Sequence, residues 1–105
     1  MKLVRMACAI AGVAILPAAV WAQSPDSLQV RSWASACANC HGTNGQARGD
    51  TVAALAGMPS ERIVTTLNAY KNGALPATIM HQIAKGYTDD QIKAIAAYFA
   101  AQAKK

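Results

Sequence analysis

Cys37-Ala38-Asn39-Cys40-His41 is the stretch on which the reading of this chain turns. Two thiols separated by two residues lie one turn apart on a helix, where each can add across a vinyl group of a porphyrin. The adjacent imidazole is then held beneath the iron as an axial ligand, so C-x-x-C-H is the attachment signature of c-type haem. Three other uses of the same residues compete. A structural zinc site would draw on Cys37, Cys40, His41 and His81, but tetrahedral Cys2His2 sites separate their ligands by spacers, and His41 follows Cys40 directly. A thioredoxin-like pair belongs at a strand-to-helix junction, and no β-rich run precedes Cys37. A plain Cys37–Cys40 disulfide would close a tiny loop, stabilise little and leave His41 without a role.

Upstream, Lys2 and Arg5 form a positive n-region, Ala7 to Val20 an apolar stretch, and Val20-Trp21-Ala22 a small-residue cleavage site. Residues 1–22 are therefore expected to be a secretory signal peptide cleaved after Ala22. The apolar stretch, 14 residues long and interrupted by Pro17, is short for a membrane span of about 20 residues. Retention as an anchor is the alternative. Cys8 opens the stretch, whereas a lipoprotein cysteine follows it, so Cys8 is expected to leave with the peptide. Residues 23–105 remain as one small domain whose two cysteines both lie in the motif. So short a domain buries too little apolar surface to be comfortably stable alone, and one covalently held haem would supply the centre of its core.

The formal charge of +5 falls to +3 once Lys2 and Arg5 leave. No Lys/Arg stripe with interleaved aromatics runs along the chain, which argues against a nucleic-acid partner. Lys104-Lys105 reads as a solvated tail, with weak electrostatic docking to redox proteins as its other use.

Ser24-Pro25-Asp26 has the form of a helix start, with Ser24 as N-cap and Pro25 in the first helical position. That helix should run into the haem motif, with Leu28, Val30, Trp33, Ala34 and Cys37 inward and Gln29, Arg31 and Ser32 wet. Trp33, one turn before Cys37, reads as a core aromatic packed on another helix. Gly42-Thr43-Asn44-Gly45 ends the helix, and the Gly- and Ala-rich stretch to Gly57 reads as a loop around a prosthetic group. Pro59-Ser60-Glu61 begins a second helix carrying Ile63, Leu67 and Tyr70 on one face, and Asn72-Gly73 stops it. A short segment follows from Ala74 to Gly86. Thr88 and Gln91 form a capping box for a last helix whose buried face is Ile92, Ile95, Ala96 and Phe99. With no strand signal, the expected fold is all-α, about three main helices wrapped round the haem.

The second axial position separates electron transfer from ligand chemistry, and Met58, Met80 and His81 are the candidates. A thioether there favours reduced iron and closes the site against small ligands. Met80 follows a break made by Gly73 and Pro76, far enough along for the chain to have crossed the haem and returned on its opposite face. Met58 comes only 17 positions after His41, at a helix start, and suits a flexible core gap-filler. Imidazole also ligates haem, at a lower potential, but neighbouring helical side chains point about 100 degrees apart, so Met80 and His81 cannot both face the iron. His81 then reads as a half-exposed histidine near the rim. The other nitrogen of His41 should donate to a backbone carbonyl in the loop between Gly49 and Leu55.

Taken together these residues resemble the small class I cytochromes c with His and Met ligation. Within that group, His41-Gly42-Thr43-Asn44-Gly45 and the run from Ala77 through Met80-His81-Gln82-Ile83-Ala84-Lys85-Gly86-Tyr87-Thr88 to Ile92 look like the cytochrome subunit of flavocytochrome c sulfide dehydrogenase. The resemblance implies thioether links at Cys37 and Cys40, His41 as proximal ligand and Met80 as distal ligand of one haem c. It also implies a sulfide-oxidising flavoprotein (FAD) subunit as electron donor, a periplasmic location, and a chain that performs no bond chemistry itself. Family members usually carry a proline whose carbonyl accepts the proximal imidazole's hydrogen bond. Ala53 stands in its place here, which keeps the carbonyl and loses the locked φ. A free-standing shuttle to a terminal oxidase or reductase is the alternative function, and a haem enzyme or gas sensor with an open sixth site is a third.

Overall fold

The computed structural model describes residues 27–105. The signal peptide expected at residues 1–22 and the helix start expected at Ser24-Pro25-Asp26 lie outside the described residues. Among the described residues four α-helices follow one another: α1 (Ser27–His41), α2 (Ser60–Lys71), α3 (Met80–Lys85) and α4 (Asp89–Ala100), with one 3-10 turn at Thr43–Gly45 directly after α1. No strand occurs among the described residues, so the fold is all-α, with α1, α2 and α4 as its main helices. The short α3 falls within the segment that reads as a plain connector in sequence. Six residues make under two turns, too few for an apolar period to show.

Three separate local signals start α4 where it starts. The Thr88 hydroxyl accepts from the Gln91 N–H at 3.2 Å and the Gln91 side chain accepts from the Thr88 N–H at 2.9 Å. Asp89 and Asp90 then place negative charge in the first turn, where the helix dipole favours it. From that start the period of 3.6 carries Ile92, Ile95, Ala96 and Phe99 into the interior, each at 1% exposure or less. This face makes α4 the hub: it packs against both α1 and α2, and α2 packs in turn against α3. Ala34 of α1 and Ile63 of α2 meet Ile95, Ala96 and Phe99 in one cluster, with Trp33 half-buried against it as an aromatic at that position should be.

One face assignment is corrected. Leu28, expected inward, is 72% exposed. α1 meets the core at Ala34, and Leu28 lies six residues earlier, about 9 Å along the axis at 1.5 Å per residue, which takes it past the crossing with α4. α2 begins after Pro59, whose carbonyl accepts from the Arg62 and Ile63 N–H groups, and stops at Asn72-Gly73. At that end the Lys71 Nζ donates to the Tyr87 carbonyl at 2.8 Å and pairs with Asp89 at 3.0 Å, joining α2 to the start of α4. Asp89 is 74% exposed there, so its share of the tie is worth under about 1 kcal/mol.

The interior is thin. Of the eight buried apolar residues among those described, four are alanines, and Phe99, Ile92 and Ile95 are the large fully buried side chains. Cys37, Leu55, Met58, Leu67 and Tyr87 line this cluster only half-buried.

Candidate haem centre

α1 carries the motif to its own last residue. Cys37 and Cys40 occupy successive turns of that helix and His41 ends it, so all three are placed by one rigid element. Cys37 and Cys40 are both free thiols here. Cys37 is half-buried against the core cluster and Cys40 is exposed. Burial pushes the Cys37 thiol above its ordinary value, partly offset by a backbone hydrogen bond.

The His41 imidazole is anchored from outside the helix. Its Nδ1 lies 2.6 Å from the Ala53 carbonyl oxygen, the position at which a proline is usual in the resembling family. A carbonyl only accepts, so Nδ1 carries a proton, and of the two tautomers of a neutral ring this bond selects the one whose Nε2 lone pair is open to a metal ion. The loop that brings Ala53 to this place folds back on Gly45, whose carbonyl accepts from the N–H groups of Leu55 at 2.9 Å and Ala56 at 3.1 Å. Gly45 is buried at φ +77°, and a Cβ there would stand 2.7 Å from the Ala56 nitrogen and 2.9 Å from Phe99 Cδ1. Only glycine permits that approach.

Met80 opens α3 and is half-buried. Met58 packs against the core cluster, the gap-filling position its flexibility suits. His81 is half-buried too, with its Nδ1 enclosed and without a hydrogen-bond partner, so one edge of the ring is more deeply placed than a rim histidine's. α1 rests on α4 while α3 rests on α2, and α1 and α3 share no comparable packing, so the two helices that carry His41 and Met80 are held apart by separate supports. The approach to Met80 carries Leu75 at 37% and Ile79 at 57% exposure, apolar surface of the kind a macrocycle covers.

These features fit a haem. The donor set suits it: thiols one turn apart, an imidazole with its tautomer fixed, a thioether on a separate element, and a core too thin for its helices. They do not fit zinc. Among the described residues no group of three or more His, Cys, Asp or Glu side chains gathers within reach of one ion, so Cys37, Cys40, His41 and His81 form no tetrahedral set. Nor is any helix among the described residues long and apolar enough to cross a membrane.

Sequence reasoning named Cys37, Cys40, His41 and Met80 as candidates and expected a loop carbonyl against His41, which the structure supplies at Ala53. It missed the Asn44–Tyr98 hydrogen bond and the bond from Gln46 to the carbonyl of Ala103, which join residues more than fifty positions apart. Asparagine after a helix stop was the one available signal, since it tolerates positive φ.

Helix order and the anchored imidazole define the class as a c-type cytochrome domain. The family model described as "Cytochrome C oxidase, cbb3-type, subunit III" matches residues 30–99, and the chain belongs to this family of cytochrome domains, which implies a haem c cofactor. It is 42% identical over 69 residues to the "Cytochrome subunit of sulfide dehydrogenase" of Chlorobaculum tepidum, covering 66% of this chain and 62% of that one. It is 36% identical over 67 residues to the "Thiosulfate dehydrogenase electron acceptor" of Stutzerimonas stutzeri, covering 61% of this chain and 31% of that one. "Cytochrome c-554(548)" of Halomonas halodenitrificans is 33% identical over 69 residues, covering 63% of this chain and 83% of that one. The chain thus spans less than two thirds of the first two relatives.

Proposed function

We propose that this chain is a periplasmic, single-haem electron-transfer cytochrome, with residues 1–22 as a cleaved export signal and 23–105 as the cytochrome domain. In this reading Cys37 and Cys40 form the thioether links, His41 is the proximal ligand and Met80 the distal one. The bound haem would supply one-electron exchange between ferrous and ferric iron. The chain's own work is positional. α1 holds both thiols and the imidazole in one frame, the Ala53 carbonyl fixes the ring's orientation and basicity, and α3 presents the thioether from a separate support. Because α1 rests on α4 and α3 on α2, and α2 packs in turn on α4, the ligands would stand on braced elements, so little rearrangement would accompany a change of charge on the iron, as an electron carrier requires.

The observation that carries the reading is the His41 Nδ1 to Ala53 hydrogen bond of 2.6 Å, which commits Nδ1 as the donor and leaves Nε2 as the ring nitrogen available to a metal ion on the helix that bears both thiols. The exported, matured protein should weigh one haem more than its polypeptide and show a low-spin visible spectrum. Met80→Ala should abolish the thioether-to-ferric charge-transfer band while Met58→Ala keeps it. A colourless protein of bare polypeptide mass refutes the reading, and loss of the band in Met58→Ala alone moves the ligand.

For the partner, likeness to a cytochrome subunit of sulfide dehydrogenase supports a role as acceptor beside a sulfide-oxidising flavoprotein. Likeness to a thiosulfate dehydrogenase electron acceptor supports the alternative of a separate carrier serving another sulfur-oxidising enzyme. Purification from the native host separates the two. A subunit elutes with a flavin-containing polypeptide, and a carrier elutes alone.

A further inference from the structure

Ala53 has no locked φ, so the carbonyl that receives the His41 proton must be held in place by its surroundings. Two consecutive residues in the last turn of α4 do this. The Tyr98 hydroxyl donates to Asn44 Oδ1 at 2.7 Å, and the Phe99 carbonyl accepts from the Gly57 N–H at 2.9 Å. The loop 44–57 is therefore tied at both ends to neighbouring residues of one helix. Between these ties the Gly45 carbonyl receives Leu55 and Ala56, folding the half that contains Ala53 back on the half that contains Asn44. Asn44 sits at φ +54°, a conformation asparagine tolerates better than most residues, and the bond from Tyr98 holds its side chain there. Gln46, two residues on, adds a third tie through its side-chain amide to the Ala103 carbonyl and the Lys105 N–H.

We propose that Tyr98 and Asn44 are a positioning pair for the proximal imidazole, setting where the Ala53 carbonyl stands and, through it, the orientation and basicity of His41. The inference rests on His41 being the iron ligand proposed above. A weaker Nδ1–H···O bond makes the ring a poorer electron donor, which favours reduced iron, so loss of the pair raises the reduction potential. It also opens the Nδ1 proton to exchange with solvent.

Two variants isolate the pair. Tyr98→Phe removes one hydroxyl and keeps the ring, whose edge-to-face contact with Phe99 has centroids 5.2 Å apart. Asn44→Gly removes the acceptor and suits the positive φ, so both should fold. The haem-bearing single variants and the double variant are compared with wild type by NMR exchange of the His41 Nδ1 proton and by equilibrium redox titration. Each single variant is expected to speed that exchange by about tenfold, the value of one lost hydrogen bond, and to raise the potential. The double variant should go no further, because the two residues act as a unit. A merely structural role would speed all slowly exchanging amides alike, so acceleration spread evenly over the chain overturns the proposal. Unchanged exchange and potential, or additive effects in the double variant, overturn it too. His41→Ala tests the underlying ligand assignment separately: if its low-spin spectrum survives, that assignment fails whatever Tyr98 does.

Discussion

Gly45 and Gly49 offer a controlled comparison of what space, as distinct from backbone angle, contributes to the haem loop. Both have positive φ, +77° and +73°, so replacing either by alanine places a Cβ in the left-handed region at a cost of about 1–2 kcal/mol. At Gly49 nothing lies within 4 Å of the new atom. At Gly45 it would stand 2.7 Å from the Ala56 nitrogen, 2.9 Å from Phe99 Cδ1 and 3.0 Å from Leu55 Cβ. Two of these neighbours cannot yield cheaply: Ala56 is backbone and Phe99 is fully buried. Overpacking of that kind costs about 1–3 kcal/mol beyond the angle. Relief also requires lengthening the 2.9 and 3.1 Å bonds from Leu55 and Ala56 to the Gly45 carbonyl, which carry Ala53 toward His41. Gly45→Ala should therefore lose about 2–5 kcal/mol against about 1–2 for Gly49→Ala. It should also disturb the proximal ligand, as Gly49→Ala should not. Guanidinium unfolding of the two haem-bearing variants, followed by helical circular dichroism and by the haem band, measures both effects. Stabilities equal within about 0.5 kcal/mol, with the haem spectrum unaltered in both, would show that the loop relaxes freely and that the packing argument is wrong.

Two further outcomes follow from other parts of the molecule. Thr88→Ala should cost about 1 kcal/mol in the same unfolding assay, since it leaves the Gln91 N–H without its acceptor at the start of the hub helix; no measurable change would refute the capping role. Burial, and secondarily charge on nearby Cys37, pushes the Tyr87 phenol above its ordinary value. Its protonated form is thus favoured in the folded chain. The stability this supplies is fully present below about pH 10 and is lost as pH rises through the folded value. Thioether formation at Cys37 removes the second cause and leaves burial. Alkaline spectrophotometric titration of the haem-bearing protein should lose one of its three phenolates, from the most alkaline part of the curve, in Tyr87→Phe; loss from its early part instead would refute the upward shift.

Much of the site was readable because its instructions are local. Cys37, Cys40 and His41 sit within five residues on one helix, so their relative placement follows from helix geometry wherever that helix goes. Thr88 and Gln91 specify their own capping box, and Ile92, Ile95, Ala96 and Phe99 declare a buried face by period alone. Leu28 obeys the same period and is nonetheless exposed, because a period names a face and says nothing of where the partner helix ends. α3 escaped notice for want of length.

Read alone, then, the chain displays its candidate chemistry: two thiols and an imidazole in one helical frame, joined to helices whose caps and stripes are written within a turn or two. The crossing of helices decides what that chemistry rests on. Asn44 meets Tyr98 across 54 positions, and the Gly57 N–H meets the carbonyl of Phe99, because α4 packs where it does. A side chain's preference acts over its nearest neighbours, whereas such meetings exist only after the whole core has chosen its arrangement. A local pattern at most marks Asn44 as a residue that tolerates positive φ and names no partner for it, yet by these meetings the carbonyl of Ala53 is held against His41.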